Sequence, residues 1–208
     1  MQRLWLTQGH NPTRMGQSTM NTFTIKRLEI FFLSMILLAF QHAAANASEV
    51  RLGLSNHDTR GVEGGVTVQG QFVLGDLPEF PQKLKLRPFL TFSANSDGNL
   101  IQGGGGLQVN YLISKNWFLE FQGGIIGHNG QLLPPSAEFP FGRRLDPDRR
   151  LLFGCPALFH LSPSVGRRIS KRAHLSLYYI HISHGRILCG TNINEGLDSF
   201  GGRVGFQF

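Results

Sequence analysis

Long apolar runs are scarce in this chain. The most apolar stretch, IFFLSMILLAF, covers about 11 residues against the roughly 20 that a transmembrane helix needs. Cysteine is almost absent, with only Cys155 and Cys189 in 208 residues. Neither has metal-ligand spacing, so no zinc module is expected, although two cysteines in an exported chain could form one bridge. A helical apolar stripe of period 3.6 is also missing downstream of the leader, which argues against a helical bundle. Basic residues are in excess, giving a formal net charge of +7. They do not lie on a helix with interleaved aromatics, and nucleic acid is not an expected partner.

What is present begins with a leader. Lys26 and Arg27 precede the apolar run, and the small residues AAANA follow it. Basic, apolar and small regions in that order describe a secretory signal peptide, with cleavage expected after Ala47 in preference to a retained membrane anchor. The segment Met1 to Thr19 has no periodicity, and Met15 and Met20 are alternative starts. Residues 1–47 are therefore set aside as leader, and residues 48–208 are expected to form one domain. Without Arg3, Arg14, Lys26, Arg27 and Glu29 the formal net charge falls to +4, so much of the basicity belongs to the leader. The remaining arginines come as loop pairs, such as Arg143 with Arg144 and Arg149 with Arg150, which read as solvated charge or as contacts to an anionic membrane surface.

Period 2 recurs through the rest of the chain. Val50, Leu52 and Leu54 alternate with Arg51, Gly53 and Ser55, and Val62, Val66, Val68, Phe72 and Leu74 with Glu63, Thr67, Gln69 and Gln71. Leu86, Leu90 and Phe92 oppose Arg87, Thr91 and Ser93, while Leu107, Val109 and Tyr111 oppose Gln108 and Asn110. Trp117, Leu119 and Phe121 oppose Glu120 and Gln122. The segments RLLFGCPALFHLS, HLSLYYIHIS and SFGGRVGFQF complete eight candidate strands, with Leu151, Phe153, Cys155, Ala157 and Phe159 expected on one face of the sixth. A soluble sandwich would bury the apolar faces; a closed transmembrane barrel turns them to lipid and keeps a polar lumen. The glycines and amides on the polar faces suit a cramped lumen, and Phe200, Gly202, Val204, Phe206 and Phe208 alternate to the last residue. That ending resembles the terminal strand of bacterial outer-membrane barrels. The expected fold is all-β, an eight-stranded antiparallel transmembrane barrel in the bacterial outer membrane, with both ends in the periplasm. HDTR, NSDGN, HNGQLLPPSAEFPFGRRLDPDRR and HGRILCGTNINEGL are then external loops, and GDLPEFPQK, ISKN and GRRISKR periplasmic ones.

Parity singles out one group of polar side chains. His181 and Ser183 share a face with Leu175, Leu177 and Tyr179, and Asp198 shares one with Phe200, Val204 and Phe206. All three therefore face lipid, near the outer ends of neighbouring strands. Serine needs a base to become a nucleophile, and an imidazole works best when a carboxylate orients it. Taken singly, each residue is unremarkable strand-end or turn chemistry; together on an apolar wall they are costly unless paired or functional. His57, Asp58, His128, His160 and His174 read as structural or solvated. His181 and His184 have opposite parity, which argues against a shared metal.

The segment HISHG followed by NEGLDS resembles the carboxy-terminal signature of the lipid A 3-O-deacylase (PagL) family, a His-x-Ser-Asn segment followed by Asn-x-Gly-x-acid-Ser on the last two strands of an eight-stranded barrel. The resemblance implies a cofactor-free ester hydrolase acting on lipid A of lipopolysaccharide, with Ser183 as nucleophile, His181 as base and Asp198 as orienting acid. Asn194 and Gly185 match positions that would help bind the oxyanion. His184 stands where the pattern has asparagine, and Asp198 where it has glutamate. A non-catalytic outer-membrane barrel acting as an adhesin or interaction protein is the alternative. A homodimer, the acyl chain removed and the pairing of the two cysteines are left open.

Overall fold

The computed structural model describes residues 47–77, 84–98, 100–132 and 150–208. Residues 1–46, which make up nearly all of the expected leader, most of the long fifth loop with Arg143, Arg144 and Arg149, and part of GDLPEFPQK lie outside the described residues. Eight strands follow one another: β1 Ala47–Asn56, β2 Val66–Leu74, β3 Leu84–Asn95, β4 Ile101–Leu112, β5 Trp117–His128, β6 Ala157–Arg168, β7 Ala173–Ser183 and β8 Leu197–Gln207. Each pairs antiparallel with its neighbour in sequence, and β8 returns to pair with β1, which closes the barrel. Closure leaves no strand edge unpaired, the condition for placing a sheet in hydrocarbon.

Alternation then sorts the side chains. Leu52, Leu54, Val68, Phe92, Leu107, Leu119, Phe121, Leu175, Leu177 and Phe206 are exposed on the outside, as a lipid-facing wall requires. Inside, ions and amides fill the half nearest the chain termini. Arg51 donates to both oxygens of Glu120 at 2.6 and 2.8 Å, Arg203 donates to Glu120 at 2.6 Å, and Arg87 and His174 hold Glu49 at 2.6 and 2.7 Å. The lumen is packed with paired charge at this level, which is how buried ions are tolerated.

Toward the other end the lumen is mixed, with Thr67, Asn95 and His160 buried beside an apolar cluster that a wholly polar lumen would not contain. Tyr178, Ile180, Ile182, Leu197, Ile126 and Leu158 point inward and pack with Leu100, Leu151, Phe153 and Cys155 into a buried apolar cluster. Residues 151–155 are not part of β6, which begins at Ala157; they fold back into the barrel mouth, so Leu151, Phe153 and Cys155 face the interior and not lipid. Cys155 pairs with Cys189 in a disulfide, tying this segment to the β7–β8 loop. β2 likewise starts later than its alternation implies, at Val66. The β1–β2 loop therefore covers residues 57–65, because Asp58 accepts the backbone N–H groups of Arg60 and Val62 at 3.1 and 2.9 Å and Gly65 turns the chain at φ +98°. His57 is buried within this loop, bonded to Thr67 and Glu63 at 2.9 Å each, and Glu63 also accepts from Leu151 N at 2.8 Å.

Candidate active site

The site lies at the loop-rich end of β7 and β8. Their register sets His181 directly opposite Asp198, and on the other side Phe159 of β6 lies opposite Ser183. Alternation turns all three polar side chains outward, as parity requires. His181 Nδ1 lies 2.7 Å from Asp198 Oδ1, and His181 Nε2 lies 3.0 Å from Ser183 Oγ. A carboxylate only accepts, so Nδ1 carries the proton and Nε2 presents its lone pair to the serine hydroxyl. The three residues thus form one continuous relay on the outer wall, above the apolar cluster that Ile180, Ile182 and Leu197 build on the inner side of the same strands.

Asp198 has two further partners that parity did not reveal. Tyr179, one position back on the same face as His181, donates its hydroxyl to Asp198 Oδ1 at 2.6 Å. Arg60, from the β1–β2 loop, brings Nε to 3.7 Å from Asp198 Oδ2. Tyr179 reads in sequence as one more lipid-facing side chain, and its hydroxyl is the only hint of another role. Arg60 carries no signal, since its contacts cross more than 130 positions.

The β7–β8 loop begins directly after the serine and returns beside it at Gly196. Asn194 Oδ1 accepts the His184 N–H at 3.3 Å. The His184 ring is buried on the inner side of the wall, opposite in direction to His181. Its Nδ1 accepts the Arg186 N–H at 3.1 Å, so Nε2 carries the proton that is donated to Ile193 O at 2.6 Å. His184 thereby clips the two limbs of the loop together. Gly185 and Arg186 both have left-handed backbone, at φ +58° and +59°, in the turn that leaves β7. Gly196 is also left-handed, at φ +65°. A Cβ there would meet Ile182 O at 2.9 Å, so the left-handed backbone and this close approach to β7 require glycine, and Ser183 Cβ lies in ordinary contact at 3.6 Å.

A closed barrel of lipid-crossing strands with an acid–histidine–serine relay on its wall is a membrane-embedded protein of the hydrolase kind. The sequence model of the lipid A 3-O-deacylase (PagL) family matches residues 83–207, and the chain belongs to that family. It is accordingly an outer-membrane hydrolase, a lipid A deacylase. No curated protein sequence matches it. Among solved structures it is similar to the outer-membrane enzyme PagL, with a TM-score of 0.55 at 12% identity over 77% of this chain and 99% of that one. Ail of Yersinia pestis is a more distant likeness, with a TM-score of 0.41 at 9% identity over 77% of this chain and 99% of that one. The likeness to the PagL structure concerns the fold alone.

Proposed function

We propose that this chain hydrolyses the ester-linked acyl chain at the 3-O position of lipid A, with Ser183, His181 and Asp198 as the catalytic residues. The observation that carries the reading is the unbroken hydrogen-bonded relay from Asp198 through His181 to Ser183 on the lipid-facing wall. An acyl ester of a membrane lipid meets that wall without leaving the bilayer.

His181 Nε2 takes the Ser183 hydroxyl proton as Oγ attacks the ester carbonyl, and Asp198 supports the imidazolium that forms. The tetrahedral oxyanion is met by the Gly185 backbone N–H and by the Asn194 carboxamide, whose oxygen is already occupied and whose amino group is left to donate. Collapse breaks the bond to the sugar oxygen, which takes the proton from His181 and departs as the free hydroxyl. Water then enters, gives a proton to His181 and attacks the acyl-serine; the fatty acid leaves and the proton returns to Ser183. Arg186, exposed at the same loop, is positioned to attract the lipid's phosphates.

Ser183→Ala is expected to leave the barrel folded, with its heat-sensitive electrophoretic mobility intact, and to abolish fatty-acid release from purified lipopolysaccharide. Mass spectrometry of the lipid A reads the outcome. Loss of a 3-O-linked acyl group by the native chain and none by the variant is expected, and undiminished release by Ser183→Ala would remove the serine from the mechanism. Loss of a chain from another position would overturn the positional assignment alone.

A further inference from the structure

We infer that Arg60, on the β1–β2 loop, is a positioning residue for deacylation: it latches the β7–β8 loop and the acid Asp198 into the geometry that the serine relay requires. The inference rests on the Ser183–His181–Asp198 reading and deepens it. Arg60 lies outside the residues matched to the family, 83–207.

The β1–β2 loop is fastened to the start of β8 before Arg60 acts. Thr59 N donates to Asp198 O at 2.7 Å, and Ser199 Oγ donates to His57 O at 2.6 Å. Asp58 holds the Arg60 and Val62 N–H groups, which aims the arginine across the gap. The guanidinium then makes two charge-assisted bonds, Nη1 to Glu195 O and Nη2 to Gly196 O, both at 2.6 Å. Its Nε faces Asp198 Oδ2 at 3.7 Å and Asp58 Oδ1 at 3.5 Å.

The two carbonyls belong to the limb that passes beside Ser183 and leads into β8. Gly196 is buried, and a Cβ built there would lie 3.6 Å from Ser183 Cβ and 3.9 Å from His181 Cε1. The limb that Arg60 grips is thus packed on the serine–histidine pair and leads directly into Asp198. The same guanidinium also adds a positive charge beside both carboxylates, Asp58 and Asp198. Only a planar fork with several donors reaches two successive carbonyls and a carboxylate together, so lysine keeps the charge but not the grip. The need is sharper because the acid is aspartate, one methylene shorter than glutamate, and has little reach with which to follow a displaced loop.

The test uses the full chain refolded in detergent, as native protein and as Arg60→Ala, Arg60→Lys and Ser183→Ala, with retained heat-sensitive mobility as the fold check. Fatty-acid release from lipid A gives kcat and KM, and the rate of Ser183 labelling by a fluorophosphonate reads nucleophile activation without lipid binding. Arg60→Ala should lower kcat about 100-fold with KM within about twofold of native, as displaced catalytic groups do. Labelling should slow by the same factor, and Arg60→Lys should recover part of both. Native kcat and labelling in Arg60→Ala, or a loss confined to KM, would overturn the latch. If Arg60→Ala does not fold, Arg60→Lys decides: native kcat and labelling overturn the proposal, and a kcat loss matched by slower labelling supports it. Retained activity in Ser183→Ala would instead sink the serine relay itself, whereas an inert Ser183→Ala beside a fully active Arg60→Ala sinks the latch alone.

Discussion

Asp198 shows how much one side chain's neighbours decide. Its Oδ1 accepts from both His181 Nδ1 and the Tyr179 hydroxyl, and those two bonds fix the carboxylate rotamer that selects the useful imidazole tautomer. Tyr179→Phe removes one bond and keeps the ring on the lipid-facing wall, where a phenyl group is at home. We expect kcat to fall about 10-fold, the equivalent of one hydrogen bond to a charged group, with thermal unfolding unchanged. A steady-state assay beside a melting curve checks this, and a native kcat would show that the acid is oriented without the Tyr179 hydroxyl. At this scale the sequence was legible for His181, Ser183 and Asp198, because strand parity is local and needs no knowledge of closure. It was silent on Tyr179 because an aromatic side chain on an apolar face is already explained by lipid.

The element beside the Ser183–His181–Asp198 relay is the β7–β8 loop, residues 184–196. Besides the grip of Arg60, His184 bridges to Ile193, Cys189 is bonded to Cys155, and Glu195 N donates to Leu152 O at 3.0 Å. The disulfide joins positions 34 apart, so its loss frees a long segment of the unfolded chain and costs about 3–4 kcal/mol on the chain-entropy account. Replacing both cysteines by serine should lower the unfolding midpoint while the β-sheet circular dichroism signal persists. Limited proteolysis should then cut within 184–196 before the strands. An unchanged midpoint and cleavage pattern would show that the apolar cluster under the loop suffices without the bridge. The sequence left this pairing undecided, and it could not show residues 151–155 turning inward: an alternating stretch reads as strand until the three-dimensional neighbours reveal an apolar plug to join.

Across the whole molecule, the barrel is stabilised by opposite means at its two ends. The loop-rich half buries Tyr178, Ile180, Ile182, Leu151 and Phe153, whereas the half nearest the termini buries Arg51, Arg203, Glu120 and Glu49 in a satisfied ion network. Glu120 is the hinge of that network, accepting from two arginines. Glu120→Gln leaves Arg51 and Arg203 with less compensation inside the lumen, and we expect a loss of about 3–5 kcal/mol in urea unfolding from detergent or bilayers. Fatty-acid release at low temperature should stay near native, because the network lies at the other end from the relay. A variant of native stability would mean that the remaining amides and Glu49 absorb both charges.

The sequence by itself determined how many strands there are among the described residues, which of their residues face lipid apart from the misplaced Leu151, Phe153 and Cys155, and that Ser183, His181 and Asp198 share the outer wall. Alternation with period 2 writes those facts into short windows of chain. Only the tertiary structure decided that Arg60 reaches Glu195, Gly196 and Asp198, that Cys155 meets Cys189, and that an apolar cluster fills part of the lumen. Those contacts exist because β8 closes on β1 and loops fold into the mouth, and closure joins positions that no local pattern connects.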